Sequence, residues 1–382
     1  MIQSYDVIII GGGVNGCSIA YQLAKRNYRV KLLEKGRIAE EASSAAAGML
    51  GAQSELKNKG AFFDFARTSR NMFSELVPEV EKASGLTVSY LKNGMLKVAV
   101  TAEEALQLQQ IRVIQEAEGE HVEWLNAEEV LHREPEIKGR IQGALYIPQD
   151  GQVKAPDWTK ALARAAANIG ADLQEYISAD RLIEDNGRTT GVETCYGPVY
   201  APHVVVAAGA WSESLLNKDK APVPQMIPVK GECVSLIPER SVIRSTIHAS
   251  DFYIVPKADG SVIIGATERE GHMDKKVMAE AVQTLLRKAC SLVPAFERAE
   301  WGRAWAGVRP QTADGMPYLG AYGQKGLWLA AGHYRNGILL SAVTGEWMAD
   351  MIDGKPVRSD WKSAFCPKRT IEGKEDRIGS YH

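Results

Sequence analysis

Residues 5–36 read "YDVIIIGGGVNGCSIAYQLAKRNYRVKLLEKG", and the order of residue types in this stretch decides the architecture. Val7 to Ile10 form a short, wholly apolar, β-branched run, the pattern of a parallel strand covered on both faces. Gly11, Gly13 and Gly16 follow in GxGxxG spacing, and Ile19, Ala20, Leu23 and Ala24 recur behind them with helical period. A second strand, Val30 to Leu33, apolar except for Lys31, ends in Glu34.

Each glycine has a physical task. The first permits a tight turn, the second lets a pyrophosphate approach the backbone, and the third lets helix and strand pack closely. The helix N-terminus then offers unpaired N–H groups to phosphate charge. Glu34 lies where an acid accepts a hydrogen bond from a ribose 2′-hydroxyl, which favours an adenosine without a 2′-phosphate. Strand, glycines, helix, strand and acid in register predict a dinucleotide site. These residues do not separate FAD from NAD.

Working outward, 382 residues are enough for two domains, or for a large α/β domain carrying a smaller one. Lys plus Arg number 45 against 47 acids, so no basic excess points to nucleic acid or anionic lipid, and no nucleic-acid motif is present. Cys17, Cys195, Cys233, Cys290 and Cys366 are scattered and never spaced as CxxC. That usage suits a reducing cytosol and predicts no zinc or other metal site. The N-terminus lacks the basic region of a signal peptide, and no apolar run approaches the roughly 20 residues of a membrane span. A cytoplasmic protein without a membrane or nucleic-acid partner is expected.

Further along, "EEASSAAAGMLGAQSE" (40–55) reads as neither strand nor amphipathic helix; its small residues allow close backbone packing, or simply a tight turn. A helical pattern runs from Ala61 to Ser84 and is closed by Gly85, and helices are expected near 102–118 and 126–132. Asn126 with Glu129 has the form of a capping box. Asp157 and Gly170 bracket another helix, followed by an expected β-meander over "ADLQEYI", "EDNGR" and "TGVETC" that returns to the sheet. Strands dominate 226–267, a helix is expected near 276–291, and a final strand, glycine turn and helix occupy "GLWLAAGHYRNGILLSAVTGEWMADMI". The fold expected is α/β: a Rossmann-like domain discontinuous over 1–85, 150–225 and 305–370, a second, mostly antiparallel α+β substrate domain from 86–149 and 226–304, and a polar tail at 371–382.

The chain resembles the flavoproteins of the D-amino-acid oxidase superfamily, and among them the glycine oxidases, nearly end to end. The residues that carry the likeness are "VIIIGGGVNG" with Glu34, "SSAAAGMLGA", "FFDFA", "PVKGEC", "YIVP", "WAGVRPQTADGMPYLG" and "AAGHYRNGILL". The resemblance implies an FAD-binding fold, oxidation of a small amino acid or amine by molecular oxygen with release of hydrogen peroxide, a link to thiamine biosynthesis, and a homotetramer. It places FAD contacts on Val14, Asn15, Glu34, Lys35, Ser43, Ala47, Gly48 and Met49, on His333, Tyr334, Arg335, Asn336, Gly337, Ile338 and Leu339, and near Asp180. The glycines Gly11, Gly13 and Gly16 complete the set. A helix N-terminus after Asn336-Gly337 is also suited to stabilising negative charge on a reduced flavin. The segment after Arg309-Pro310 has no cysteine, and Cys366 lies too far along, so a non-covalent flavin is expected.

By the same resemblance Arg309 clamps the substrate carboxylate, Tyr253 donates a second hydrogen bond to it, and Arg335 is a further substrate contact. A guanidinium presents a planar fork that matches a carboxylate, and the following proline restrains its backbone. No residue stands out as an obligatory general base. Asp251 and Glu268 depart from the family pattern beside the expected pocket, and their acidity is expected to repel a carboxylate unless screened or aimed away. The competing readings are a quinone-linked D-amino acid dehydrogenase and a flavin-binding subunit without turnover.

Overall fold

The structure is a computed structural model that describes residues 5–54, 59–216 and 224–369. Its first sheet has six strands in the order Tyr318–Ala321, Leu327–Ala331, His203–Val206, Val7–Ile10, Val30–Leu33 and Asp172–Gln174. All neighbours are parallel except the first pair. Along the opening strand Val7 and Ile9 face the helices Val14–Lys25, Ala61–Ser84, Ala155–Asn168 and Gly337–Ile352. Ile8 and Ile10 face the opposite layer with Val192, Val204 and Val206. Because both faces are covered, the strand tolerates no polar residue, which is why it reads as an unbroken apolar run.

That opposite layer is a separate three-stranded antiparallel sheet, Ala179–Asp185, Arg188–Thr194 and Gly197–Tyr200. The expected meander therefore divides: Asp172–Gln174 joins the six-stranded sheet, and the rest covers it. Leu182, Val192 and Val199 supply one apolar face while the other stays in water, so this sheet packs on its neighbour rather than extending it.

The second large sheet has nine strands, with Glu300–Gln311 paired antiparallel along Ile227–Ile237. Strands from before residue 150 and after residue 226 meet where Thr246–His248 runs parallel to Met95–Ala99. The helix Ala279–Leu292 contributes Leu285, Ala289 and Leu292 to the core of this sheet.

Several expected boundaries move. Glu300–Gln311 is one unbroken strand, so a division at 305 cuts through a continuous hydrogen-bonded ladder. Met49–Leu50 and Tyr90–Leu91 both pair with Gly151–Val153, which ties 85/86 and 149/150 together as well. The small-residue stretch contains one helical turn, Ala42–Ala45, where no helix was expected. The helix expected to be capped by Asp157 starts earlier, with Lys154 as N-cap and Asp157 inside the first turn. Pro156 explains the shift, since a first-turn proline lacks only an N–H that has no helical partner. Gly85 closes Ala61–Ser84 at φ 71, and Asn126 with Glu129 forms both bonds of the capping box. The tail at 371–382 lies outside the described residues.

Candidate active site

The two large sheets meet over a cavity of about 380 Å³ whose walls come from both. At one end the opening strand stops at Gly11, where a Cβ would stand 2.4 Å from the Ala207 carbonyl oxygen. Gly13, Val14 and Asn15 line the cavity. Gly16 does not line it; a Cβ there would lie 2.0 Å from the Gly11 carbonyl oxygen, so the third glycine serves helix–strand packing. Glu34 lines the same end, its carboxylate accepting from the N–H groups of Gly12 (2.7 Å) and Gly36 (2.8 Å). Lys35 lays its ammonium over the Trp211 ring, 3.3 Å from the centroid, and burial lowers its pKa.

Ser43 accepts from the N–H of Val14 at 2.9 Å and holds the small-residue arm against the helix N-terminus. Ala45, Ala47, Gly48 and Met49 line the middle of the cavity. The arm passes close to backbone on both sides: a Cβ on Gly48 would lie 1.9 Å from the Val153 carbonyl oxygen, and one on Gly307 would lie 2.4 Å from Cβ of Ala45. Trp305 Nε1 donates to the Ala45 carbonyl at 3.0 Å. Lys257, on the second sheet, donates to the Ala47 carbonyl and to Gln152 Oε1 (2.6 Å), and burial lowers its pKa to about 7.

The C-terminal unit closes the far wall. The strand Leu327–Ala331 ends before Gly332, a short turn covers Tyr334–Asn336, and the helix Gly337–Ile352 begins. His333 through Ile338 line the cavity. Leu339 does not; it is buried in the helical core. His333 is buried with Nε2 3.2 Å from Thr344 Oγ1, and burial lowers its pKa to about 3, so the ring is neutral near pH 7. Beside Asp180, where a cofactor contact is expected, Ile177, Ser178 and Ala179 line the cavity. Asp180 is exposed, because neighbouring side chains in a strand alternate sides.

Arg309, Tyr253 and Arg335 come together at the remaining end. The Arg309 guanidinium lies over Gly231, and its Nη1 donates to the Thr267 carbonyl at 3.2 Å. The Tyr253 ring lies over Gly265, with its hydroxyl 3.5 Å from Cys233 Sγ. Burial pushes that phenol well above its ordinary pKa, so it stays protonated and able to donate. Arg335 Nη1 is 3.1 Å from Glu268 Oε1. The repulsion expected from Asp251 is not built: Asp251 is exposed, pairs with Lys288 and does not line the cavity. Glu268 is screened by Arg335.

Cys233, Trp211 and Gly231 line the cavity without having been singled out from sequence. Gly231 and Cys233 fall within the "PVKGEC" motif, but nothing in it assigns them to the site, and no local pattern marks Trp211; each reaches the site through strand pairing or a turn across the sheet.

An adenine-to-flavin dinucleotide fits the donor set. The cavity runs past the N-termini of two long helices, Val14–Lys25 and Gly337–Ile352. Asn15 Oδ1 and Glu41 Oε2 are buried acceptors without a partner, on residues that line it, and are suited to hydroxyl donors such as those of a ribityl chain.

The family model of FAD dependent oxidoreductases matches residues 6–351. A glycine oxidase from Geobacillus kaustophilus is 43% identical over 363 residues, covering 94% of this chain and 96% of that protein. The crystal structure of glycine oxidase from the same organism superposes with a TM-score of 0.93 at 42% identity, covering 96% of this chain and 99% of that one. A bifunctional protein ThiO/ThiG from Nostoc sp. is 34% identical over 352 residues, which are 91% of this chain and 52% of that protein.

Proposed function

The chain belongs to the FAD dependent oxidoreductase family, and within it we propose that this protein oxidises glycine, and with it sarcosine and small D-amino acids. Glycine, water and oxygen give glyoxylate, ammonia and hydrogen peroxide. The single observation that carries the reading is that Arg309 and Tyr253 share one cavity with the dinucleotide-binding turn.

Bound FAD supplies the two-electron oxidation of the substrate's carbon–nitrogen bond and the transfer of those electrons to oxygen. The protein supplies position and charge. Arg309 takes the substrate carboxylate, the Thr267 carbonyl restrains the guanidinium, and the Tyr253 hydroxyl donates a second hydrogen bond. Both hydrogen bonds anchor the carboxylate, and holding the substrate in place removes much of the entropic barrier. With Arg335 paired to Glu268, Arg309 makes the local potential positive, which favours loss of the substrate's ammonium proton without a dedicated base. Neutral His333 and protonated Tyr253 leave that potential intact.

On resemblance, the reading extends to a non-covalent flavin, a homotetramer in the cytoplasm and a part in thiamine biosynthesis. The deciding experiment adds glycine to purified holoprotein under nitrogen. The visible flavin absorption should bleach within mixing and return on admission of air; a flavin that glycine leaves oxidised removes the proposal.

A further inference from the structure

Two arginines line the substrate end of the cavity, and one dipeptide, Thr267-Glu268, holds them both. The consequences differ. Thr267 engages Arg309 through a carbonyl oxygen at 3.2 Å, which leaves its charge in place. Glu268 engages Arg335 through a carboxylate at 3.1 Å, which cancels it. The four groups lie in one electrostatic neighbourhood: Tyr253 feels Arg309 and Arg335, and Tyr334 feels both arginines and Glu268. Glu232, buried behind the strand, accepts from Thr267 Oγ1 (2.8 Å) and the Met278 N–H (2.7 Å) and faces Arg269 at 3.8 Å, a guanidinium shared with Glu280 at 3.7 Å. Of the two arginines that line this end, Arg309 is the one whose charge no carboxylate cancels, one positive charge for one carboxylate.

We propose that Glu268 sets the charge class of the substrate. By pairing with Arg335 it admits amino acids with one anionic group and rejects those with two, because a second carboxylate meets Glu268 and finds Arg335 already engaged. Arg335 lines the cavity and Glu268 meets it from outside the lining; their side chains are 26% and 32% exposed, so solvent reaches the pair. The inference rests on the carboxylate-binding reading of Arg309 and Tyr253 given above.

The test compares two ethers that contain no amine to oxidise, methoxyacetate with one carboxylate and diglycolate with two. Their dissociation constants are read from perturbation of the flavin spectrum in the parent holoprotein, Glu268→Gln and Glu268→Asp, with flavin content as a check on folding. The parent should favour methoxyacetate. Glu268→Gln should shift the ratio toward diglycolate by at least about tenfold, the order of one unit-charge interaction across several ångströms at intermediate dielectric. Glu268→Asp, which keeps the charge, should retain most of the parental ratio. A smaller shift in Glu268→Gln, an equal shift in Glu268→Asp, or no spectral response to either ether overturns the proposal. The ratio is independent of turnover. A parent that fails to oxidise glycine but shows the shift loses the glycine reading and keeps the charge selection.

Discussion

Gly231 lies beneath the guanidinium of Arg309, and a Cβ at that position would stand 2.4 Å from Nη2 and 2.5 Å from Cζ. The missing side chain is what allows the arginine to lie across its neighbouring strand into the cavity. Gly231→Ala should therefore displace the guanidinium and lower kcat/KM for glycine by one to two powers of ten, about 1.4–2.8 kcal/mol. Flavin content should be parental. Steady-state kinetics equal to the parent's would mean that Arg309 does not act from this position.

Arg309→Leu removes the charge itself. Breaking one partner of a desolvated pair costs about 3–5 kcal/mol, or roughly two to four powers of ten in kcat/KM. The variant should still purify yellow, since the role proposed for Arg309 is toward substrate rather than cofactor. Efficient glycine oxidation by this variant rules the clamp out.

Acid precipitation should release the flavin completely into the supernatant. Cys233 is the cysteine that lines the cavity, and burial raises its thiol pKa, keeping it in the unreactive protonated form. Chromophore that remains in the pellet, and leaves it in Cys233→Ser, would show a covalent bond to that sulfur.

Lys257 ties pH to stability. Its pKa is about 7 in the folded protein against an ordinary 10.5, so between those values the unfolded chain binds more protons than the folded one. Stability contributed through this group rises with pH across that window, by up to about 1.4 kcal/mol per pH unit. Lys257→Met should flatten the rise in denaturation midpoint between about pH 7 and pH 10 relative to the parent. Parallel profiles for the two proteins would exclude Lys257 as the source.

Handedness follows from the proposed reading if the cavity wall confines the substituent while the clamp holds the carboxylate. D-Alanine should reduce the flavin and L-alanine should not; glycine carries hydrogen on both faces. In air, peroxide formed should equal substrate consumed. Slow turnover in air restored by an added quinone would identify a dehydrogenase instead.

The sequence by itself determined the dinucleotide unit, because its information is local. A double-faced parallel strand must be continuously apolar, a turn at φ 113 with backbone 2.4 Å away must be glycine, and both constraints fall within a dozen residues. The C-terminal turn at His333–Ile338 was legible for the same reason. The resemblance set Tyr253 with Arg309, while tertiary structure alone decided that Gly231 and Thr267 surround it. Gly231, Thr267 and Tyr253 lie on other segments of the chain and reach it through long-range strand pairing, which leaves no periodic mark near Arg309. The fates of Asp251 and Glu268 were likewise undecidable in one dimension. An acid's effect depends on which cation it faces, and only the fold sends Asp251 outward to Lys288 and sets Glu268 against Arg335.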